Sequence, residues 1–526
     1  MTRRKIAVGD CETDPFKVGR VPKPFIWGYY NGEEYEEFDT AKEFIDYVYD
    51  KKEIIYFHNG GKFDYFYMLD ELEPFSEITI INGRISKFKI GDCEFRDSIN
   101  ILPLALSQFQ KDEFDYTKLE KEVRHKHKKE ISEYLESDCR NLYELVMAFI
   151  NLYGVNLTVA GTALKQWKKI SEKDIPKSDE AYYETLKKYY YGGRVECFEK
   201  GIIKGESESY DINSAYPRAM LDEHPYGTFY LERKEPKNGI DGIKGANFYT
   251  VLAESKGALP LRDKTGLNFP HTKEIFNVTG WELLAGLETG TVNILDFQKE
   301  IEYPDKTNFH EYVNHFYEMK KNAKPKTPEY IFAKLFMNSL YGKFAANPKK
   351  YSEFMILEKR FIEAAIEDGY EFAGELGKWG LMKRDLDDEK KNYYNISTAA
   401  SITGWVRAYM WRNICKVAQN GNEPLYCDTD CIFFRKLNNK NSFNIGEELG
   451  EWEKEGEYSE GAIAGKKLYS FLSKNGTYKK ASKGCNLSGK EIFSVAKGEE
   501  VSYSDFAPVY SVYKQPYFQV RKIRQT

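Results

Sequence analysis

The first hundred residues alternate short apolar runs with turn residues, the pattern of strands in a half-buried sheet. Strands are expected at about 5–10, 25–30, 54–58, 77–81, 85–90 and 93–96. The period then changes. Over 128–152, Leu135, Leu142, Leu145 and Val146 recur at helical spacing. The stretch 171–180 is polar and contains a proline, so it reads as a linker, and a second unit begins near Tyr182. Gly and Pro punctuate 222–305, which predicts a β-rich insertion, whereas 308–345 carries a long helical pattern. An irregular, charged stretch is expected at 348–394 and helix again at 397–419. After it, Pro424-Leu425-Tyr426-Cys427 and Cys431-Ile432-Phe433-Phe434 flank Asp428-Thr429-Asp430, a β-hairpin with two carboxylates at its tip.

A length of 526 residues suits about three or four domains. Hydrophobic content of 41% with 30% charged residues excludes wholesale disorder. The N-terminal basic residues precede too short an apolar run for a signal peptide, and no run reaches membrane-span length, so a soluble cytoplasmic protein is expected. The eight cysteines are dispersed without a CxxC, which argues against a disulfide framework or a zinc site. The net charge of −5 conceals segregation. Residues 462–526 hold twelve Lys+Arg against four Asp+Glu, and 318–350 hold eight Lys against two Glu. Both runs interleave lysine with Tyr and Phe, a composition that tracks phosphates and stacks on bases.

Three acidic patterns lie in the first unit. Asp10 and Glu12, two apart on a strand, share a face. His58-Asn59-Gly60-Gly61-Lys62-Phe63-Asp64 leads a strand through a glycine turn to another acid. Tyr134 and Asp138 lie one helical turn apart. Singly, each is ordinary surface chemistry. Together, four carboxylates could hold two cations that orient a water for in-line attack on phosphorus. The set resembles the motifs DxE, Nx₂₋₃(F/Y)D and YxxxD of DnaQ-like 3′–5′ exonucleases. That resemblance implies an RNase H-like mixed sheet, with Tyr134 positioning the water. It further implies that Asn59, Phe63, Ser98, Ile99 and, more weakly, His58 contact a frayed 3′ end. One extra residue between Asn59 and Asp64 departs from the phage pattern.

In the second unit, Tyr210-Asp211-Ile212-Asn213-Ser214-Ala215-Tyr216-Pro217 puts an acid at the end of a β-prone stretch. Lys334, Asn338 and Tyr341 form one stripe of a helix, joining charge, amide and ring. DxxSxYP, KxxxNSxYG and YxDTD, in this order, resemble motifs A, B and C of family B DNA polymerases. Tyr190-Tyr191-Gly192-Gly193 is similar to their YxGG element, Thr403-Gly404-Trp405-Val406-Arg407 to TxxGR, and Lys467-Leu468-Tyr469 to KxY. The motifs span 10–469. The stretches 222–305 and 348–394 resemble the two terminal-protein-region insertions of the protein-primed branch.

The resemblance implies an α+β multidomain fold. An RNase H-like exonuclease domain (1–160) and a linker (161–190) would precede a right-hand polymerase (191–526). The latter would comprise a palm with motif A at 208–221 and motif C at 424–435, fingers at 308–347 and a thumb at 462–526, with the two insertions. Asp211, the Ile212 carbonyl, Asp428 and Asp430 would hold the polymerising metals; Asp10, Glu12, Asp64 and Asp138 would hold those of the exonuclease. Two Mg²⁺ per site are expected, with Mn²⁺ equally suited to oxygen ligands. Lys320, Lys321, Lys334, Asn338 and Tyr341 would bind the nucleotide and Tyr216 would exclude a ribose 2′-hydroxyl. Tyr191, Gly192, Gly193, Thr403, Arg407, Lys467 and Tyr469 would contact DNA. Expected partners are primer-template DNA, dNTPs, a terminal protein and a single-stranded DNA-binding protein, with the chain itself a monomer. A polymerase extending ordinary nucleic-acid primers and a non-catalytic DNA-binding relative stay open at this point.

Overall fold

The computed structural model describes residues 4–109, 112–387, 391–440, 442–505 and 507–525. Two large sheets organise the chain, and each places acids at a strand end.

In the first, Ile6–Thr13 runs parallel to Ile54–Phe57, which is parallel to Cys93–Asp97. Pro24–Tyr30 pairs antiparallel on the other flank of Ile6–Thr13. Both faces of Ile6–Thr13 are covered, as parallel pairing favours. Ile6 and Val8 pack with Leu135, Leu142 and Val146 of helix Lys128–Tyr153. Ala7 faces the opposite way, toward Phe44 and Ile45 of helix Ala41–Val48. Gly28 lets the long helix close on the sheet, since a Cβ there would lie 3.0 Å from the Leu135 side chain.

This sheet continues further than the sequence pattern suggests. Ser352–Leu357 pairs antiparallel with Glu77–Ile81 and carries Trp379–Asp385 and Glu371–Leu376, extending the sheet to ten strands. The stretch expected to be irregular therefore carries three strands, although residues 388–390 of its charged run lie outside the described residues. Charged residues mask the alternation, and Leu357 and Met382 of the second face are buried against Ala365. Ile356, Leu376, Trp379 and Leu381 of the other face join the core of the N-terminal unit. Trp379 Nε1 also donates to the Leu69 carbonyl at 2.7 Å.

The second sheet has seven strands, in the order Tyr478–Ser482, Leu468–Ser473, Trp452–Gly465, Gly201–Ile212, Cys431–Arg435, Glu423–Asp428 and Val195–Cys197. Helix Ile396–Gln419 covers one face, where its Ile414 and Val417 share a core with Ile212, Cys427 and Ile432. The segment 222–305 forms the expected β-rich insertion, a four-stranded sheet with helix Gly280–Glu288. The long helical pattern resolves into two helices, His310–Asn322 and Pro328–Phe344. Pro325 interrupts the run, and Thr327 caps the second helix with Pro328 in its first turn.

The C-terminal hairpin Val509–Ser511/Lys514–Tyr517 returns to the N-terminal unit, where Val512 is buried in its core. Tyr510 packs against Phe63 and Phe66, at 5.3 Å from each ring, and its hydroxyl meets that of Tyr67 at 2.6 Å. Among the described residues, no helix is long and apolar enough to cross a membrane.

Candidate active sites

Asp10 and Glu12 project from the end of Ile6–Thr13, Asp64 from the turn after Ile54–Phe57, and Asp138 from the buried face of Lys128–Tyr153. Glu12, Asp64 and Asp138 are buried. Burial first, then the charges of Asp64, Asp138 and Glu12, pushes the Asp10 carboxyl well above its ordinary range. Burial likewise lifts Asp64 to about 7, against a hydrogen bond from the Cys11 thiol at 3.1 Å. Tyr134 stands one turn before Asp138, stacked on Phe114 at 4.4 Å, with its hydroxyl 3.0 Å from that of Tyr116.

The motif between Asn59 and Asp64 is organised by a residue that sequence reasoning missed. Buried Asp97 accepts the N–H groups of Asn59, Gly61 and Ile99 at 3.0, 3.1 and 3.1 Å, and pairs with Arg84 at 2.8 Å. Its signal was an acid closing the alternating strand Cys93–Asp97 just before Ser98-Ile99-Asn100, an Asx-type cap. Asn59 has a left-handed backbone (φ 66°), and Gly61 has no room for a Cβ, which would come within 1.9 Å of the Ile85 carbonyl oxygen. The extra residue of this motif is thus taken up in a tight glycine turn. The Asn59 side chain accepts from Arg84 at 2.7 Å, and Phe63 lies among Phe16, Tyr67 and Tyr510. Ser98 is fully buried and its hydroxyl meets His58 Nδ1 at 2.9 Å, so in this structure it holds the histidine. Asp10, His58, Asn59, Ile99 and Asp138 line one cleft of about 630 Å³.

In the second sheet, strand register builds the other acidic pair. Asp211 at the end of Gly201–Ile212 lies opposite Cys431, and the Ile212 N–H donates to the Asp430 carbonyl at 2.8 Å. Burial, then Asp430, raises Asp211 to about 7. Burial, and the Asp428 charge against a backbone hydrogen bond, raises Asp430 to about 6. Asp428 is held differently. Lys467 Nζ grips both its oxygens, at 2.5 and 2.6 Å, while the Lys467 N–H donates to the Tyr426 hydroxyl at 3.0 Å.

Among the described residues, no three His, Cys, Asp or Glu side chains converge closely enough to hold a metal ion. Neighbouring carboxylates repel one another in the absence of a counter-charge. Buried acids whose ionisation is opposed by burial and by each other are nevertheless the donor type that suits a hard divalent cation.

Beside this pair, Tyr216 stacks on Tyr341 with ring centroids 4.1 Å apart and planes 9° from parallel. Lys334, Asn338 and Tyr341 share the open face of Pro328–Phe344, where the Asn338 amide donates to the Lys334 carbonyl at 2.9 Å. Lys320 reaches the same region from His310–Asn322. Burial, then the Lys334 charge, lowers its pKa. Lys321 turns away, 3.8 Å from Glu448. Lys334, Leu335, Asn338 and Ser339 line a cleft of about 540 Å³, whose far wall, Pro103, Leu104 and Gln108, also borders the cleft at Asp10.

Residues 108–420 match the family "DNA polymerase type B, organellar and viral". A DNA-directed DNA polymerase of Enterobacteria phage PRD1 is 38% identical over 500 residues, covering 93% of this chain and 87% of its own. The chain is a family B DNA polymerase. A DNA polymerase of Bacillus phage Nf is 26% identical over 467 residues, 77% of this chain and 76% of its own. In fold, the polymerase superposes on a phi29 DNA polymerase complexed with primer-template DNA and incoming nucleotides, with a TM-score of 0.77 over the full length of both chains at 19% identity. Family B polymerases use divalent metal ions, which accords with the acids just described.

Several residues expected to touch DNA sit elsewhere in the polymerase. Thr403 and Arg407 are buried. Arg407 Nε pairs with Glu282 at 2.7 Å, and Nη1 donates to the carbonyls of Tyr191 and Gly192 at 2.7 and 2.9 Å. Two nitrogens of the guanidinium are thus engaged inside the protein, while Nη2 has no hydrogen-bond partner among the described residues. Tyr191 is buried as well, and Gly193 abuts Thr429, whose Oγ1 a Cβ would meet at 2.6 Å. Gly192, by contrast, has open space around it. The Tyr469 ring packs among Tyr426, Phe433 and Phe471. Arg407, Tyr191 and Gly193 thus lie behind the acidic hairpin, packed within the protein.

Proposed function

We propose that this polymerase extends DNA from the hydroxyl of a terminal protein, displaces the strand ahead, and trims mispaired 3′ ends in its N-terminal unit. The observation that carries the reading is the register of Gly201–Ile212 against Cys431–Arg435, which sets Asp211 beside the Asp430 turn. Asp211 and Asp430, with the Ile212 carbonyl, would be the principal ligands of two Mg²⁺ ions, and Asp428 a secondary one. Bound there, divalent ions supply a lowered hydroxyl pKa and neutralise phosphate charge.

The chain's own residues do the rest. Lys320 and Lys334 hold the triphosphate by charge, and Asn338 and Tyr341 bear on the nascent pair. Tyr216, fixed by its stack on Tyr341, meets the sugar and excludes a 2′-hydroxyl. Lys467 neutralises Asp428 and keeps the tip of the hairpin in place. In the N-terminal unit, Asp10, Glu12, Asp64 and Asp138 would hold a second ion pair, with Tyr134 orienting the attacking water. The shared wall of Pro103, Leu104 and Gln108 supports passage of one frayed strand between the two clefts.

The test is a pair of variants on one labelled primer-template. Asp430→Asn is expected to lower extension by about 10²–10³-fold, the scale of a lost transition-state charge stabiliser, while single-strand degradation persists. Asp10→Ala combined with Glu12→Ala is expected to do the reverse. Near-normal extension by Asp430→Asn removes the metal assignment. Priming is read separately: a labelled dNMP becomes linked to a terminal protein when that protein and an origin-end template are supplied. Incorporation on nucleic-acid primers alone rejects protein priming.

A further inference from the structure

The buried arginine of the TxxGR-like motif lies in a continuous line of contacts ending at the polymerising acids. Glu282, buried in the first turn of Gly280–Glu288, accepts the Thr279 N–H at 3.0 Å and hydroxyl at 2.8 Å with one oxygen, and Arg407 Nε with the other. Gly404 permits this approach, because a Cβ there would stand 2.4 Å from Thr279 Oγ1. Glycine and arginine three residues apart on Ile396–Gln419 thus dock the helix on the β-rich insertion and aim the guanidinium. Arg407 Nη1 then fixes the Tyr191 and Gly192 carbonyls.

The next residues of that segment touch the acidic hairpin. Gly193 presses on the Thr429 side chain, the Arg194 carbonyl accepts the Thr429 N–H at 2.7 Å, and Val195 pairs with Asp428. Thr429, between the two acids, has φ 62°, a left-handed backbone that a β-branched residue disfavours. Its conformation is held from outside. Arg194 is itself pinned, its guanidinium 4.0 Å from the Phe269 ring and 4.3 Å from the Trp411 ring, with Nη2 donating to the Gly257 carbonyl at 2.8 Å.

We infer that Arg407 and Glu282 are positioning residues for polymerisation: through residues 191–194 they hold Thr429 in its strained turn and so set Asp428 and Asp430. The β-rich insertion is thereby part of the catalytic support. The inference rests on the assignment of Asp211 and Asp430 as the polymerising acids.

Arg407→Lys keeps a positive charge but cannot reach Glu282 with one nitrogen and the two carbonyls with another; Glu282→Gln keeps the Thr279 cap but removes the charge. Each is expected to lower kcat for single-nucleotide incorporation at saturating DNA at least tenfold. The KM for DNA, its affinity and the slope of log affinity against log salt should stay at wild-type values, with single-strand degradation unchanged. A direct phosphate contact predicts the opposite, namely a slope reduced by about 0.9 and weakened DNA affinity at unchanged kcat, and that result overturns the inference. Unchanged kcat in either variant overturns it too.

If Arg407→Lys also loses degradation through misfolding, Gly193→Ala decides. Its Cβ should displace Thr429 and lower kcat, and Thr429→Gly, which suits φ 62° and clears the space, should restore it. Absence of either effect rejects the inference. Asp430→Asn in the same assay separates the two levels. If it retains turnover, the underlying assignment fails; if it is inactive while Arg407→Lys is normal, only the positioning role fails.

Discussion

Carboxylates in this chain fall into two kinds, those satisfied by a partner and those opposed by their surroundings. Asp97 and Asp428 are of the first kind, held by Arg84 and Lys467. Asp64, Asp211 and Asp430 are of the second, raised to about 7, 7 and 6 mainly by burial. An acid raised in the folded state binds more protons there than in the unfolded chain, so stability falls as pH rises between the two pKa values. With divalent ions chelated, Tm should therefore drop between about pH 4 and 7, and Asp211→Asn should flatten part of that drop. An Asp211→Asn protein whose Tm follows the wild-type slope contradicts the electrostatic account. Tyr216 offers a steric counterpart. With its ring fixed against Tyr341, Tyr216→Val should cut discrimination against ribonucleotides by roughly tenfold or more, about 1.4 kcal/mol or above, measured as a ratio of kcat/KM. Unaltered selectivity excludes it as the gate.

Among the elements, the strands of 352–385 show how little a local pattern reveals about an edge. Their alternation is diluted by Glu353, Glu371, Lys383 and Arg384, spread over three strands that also pack into a core begun three hundred residues earlier in sequence. Trp379 is the main anchor, buried and bonded to the Leu69 carbonyl. Trp379→Ala should cost about 3–5 kcal/mol at that junction. It should speed amide exchange across 352–385, read by mass spectrometry, and leave exchange in Gly201–Ile212 untouched. Uniform acceleration through both sheets instead means that the two fold as one cooperative unit. The helical pattern at 308–345 illustrates the reverse case. Its period was legible, but the break between two helices depended on Pro325 and on the cap at Thr327.

Across the molecule, the C-terminal hairpin closes the chain on its own N-terminal unit. Tyr510 bridges Phe63, Phe66 and Tyr67, residues that flank Asp64. The two clefts share the wall at Pro103 and Leu104, and the hairpin adds a second link from the C-terminal chain to the N-terminal unit. Tyr510→Ala removes the ring and its hydroxyl pair but no acid. It should shorten the product made per binding event several-fold, in a trap assay, at an unchanged rate per nucleotide. Full-length products at the wild-type distribution rule out a role for this closure in holding DNA.

Local chemistry was written in the sequence. The hairpin at 428–430, the acid ending Gly201–Ile212, the DxE strand and the Lys334–Asn338–Tyr341 stripe each follow from period, turn residues and charge within a dozen positions, and each stands in the structure where that reading puts it. Long-range partnership was not written there. The docking of 352–357 on 77–81, the return of Tyr510 to Phe63, the capture of Arg407 by Glu282 and the gathering of a turn by Asp97 join residues distant in the chain. An arginine reads the same in sequence whether it meets a phosphate or a buried glutamate. Only folding settles which, because desolvation makes an unpaired interior charge untenable and so selects the partner.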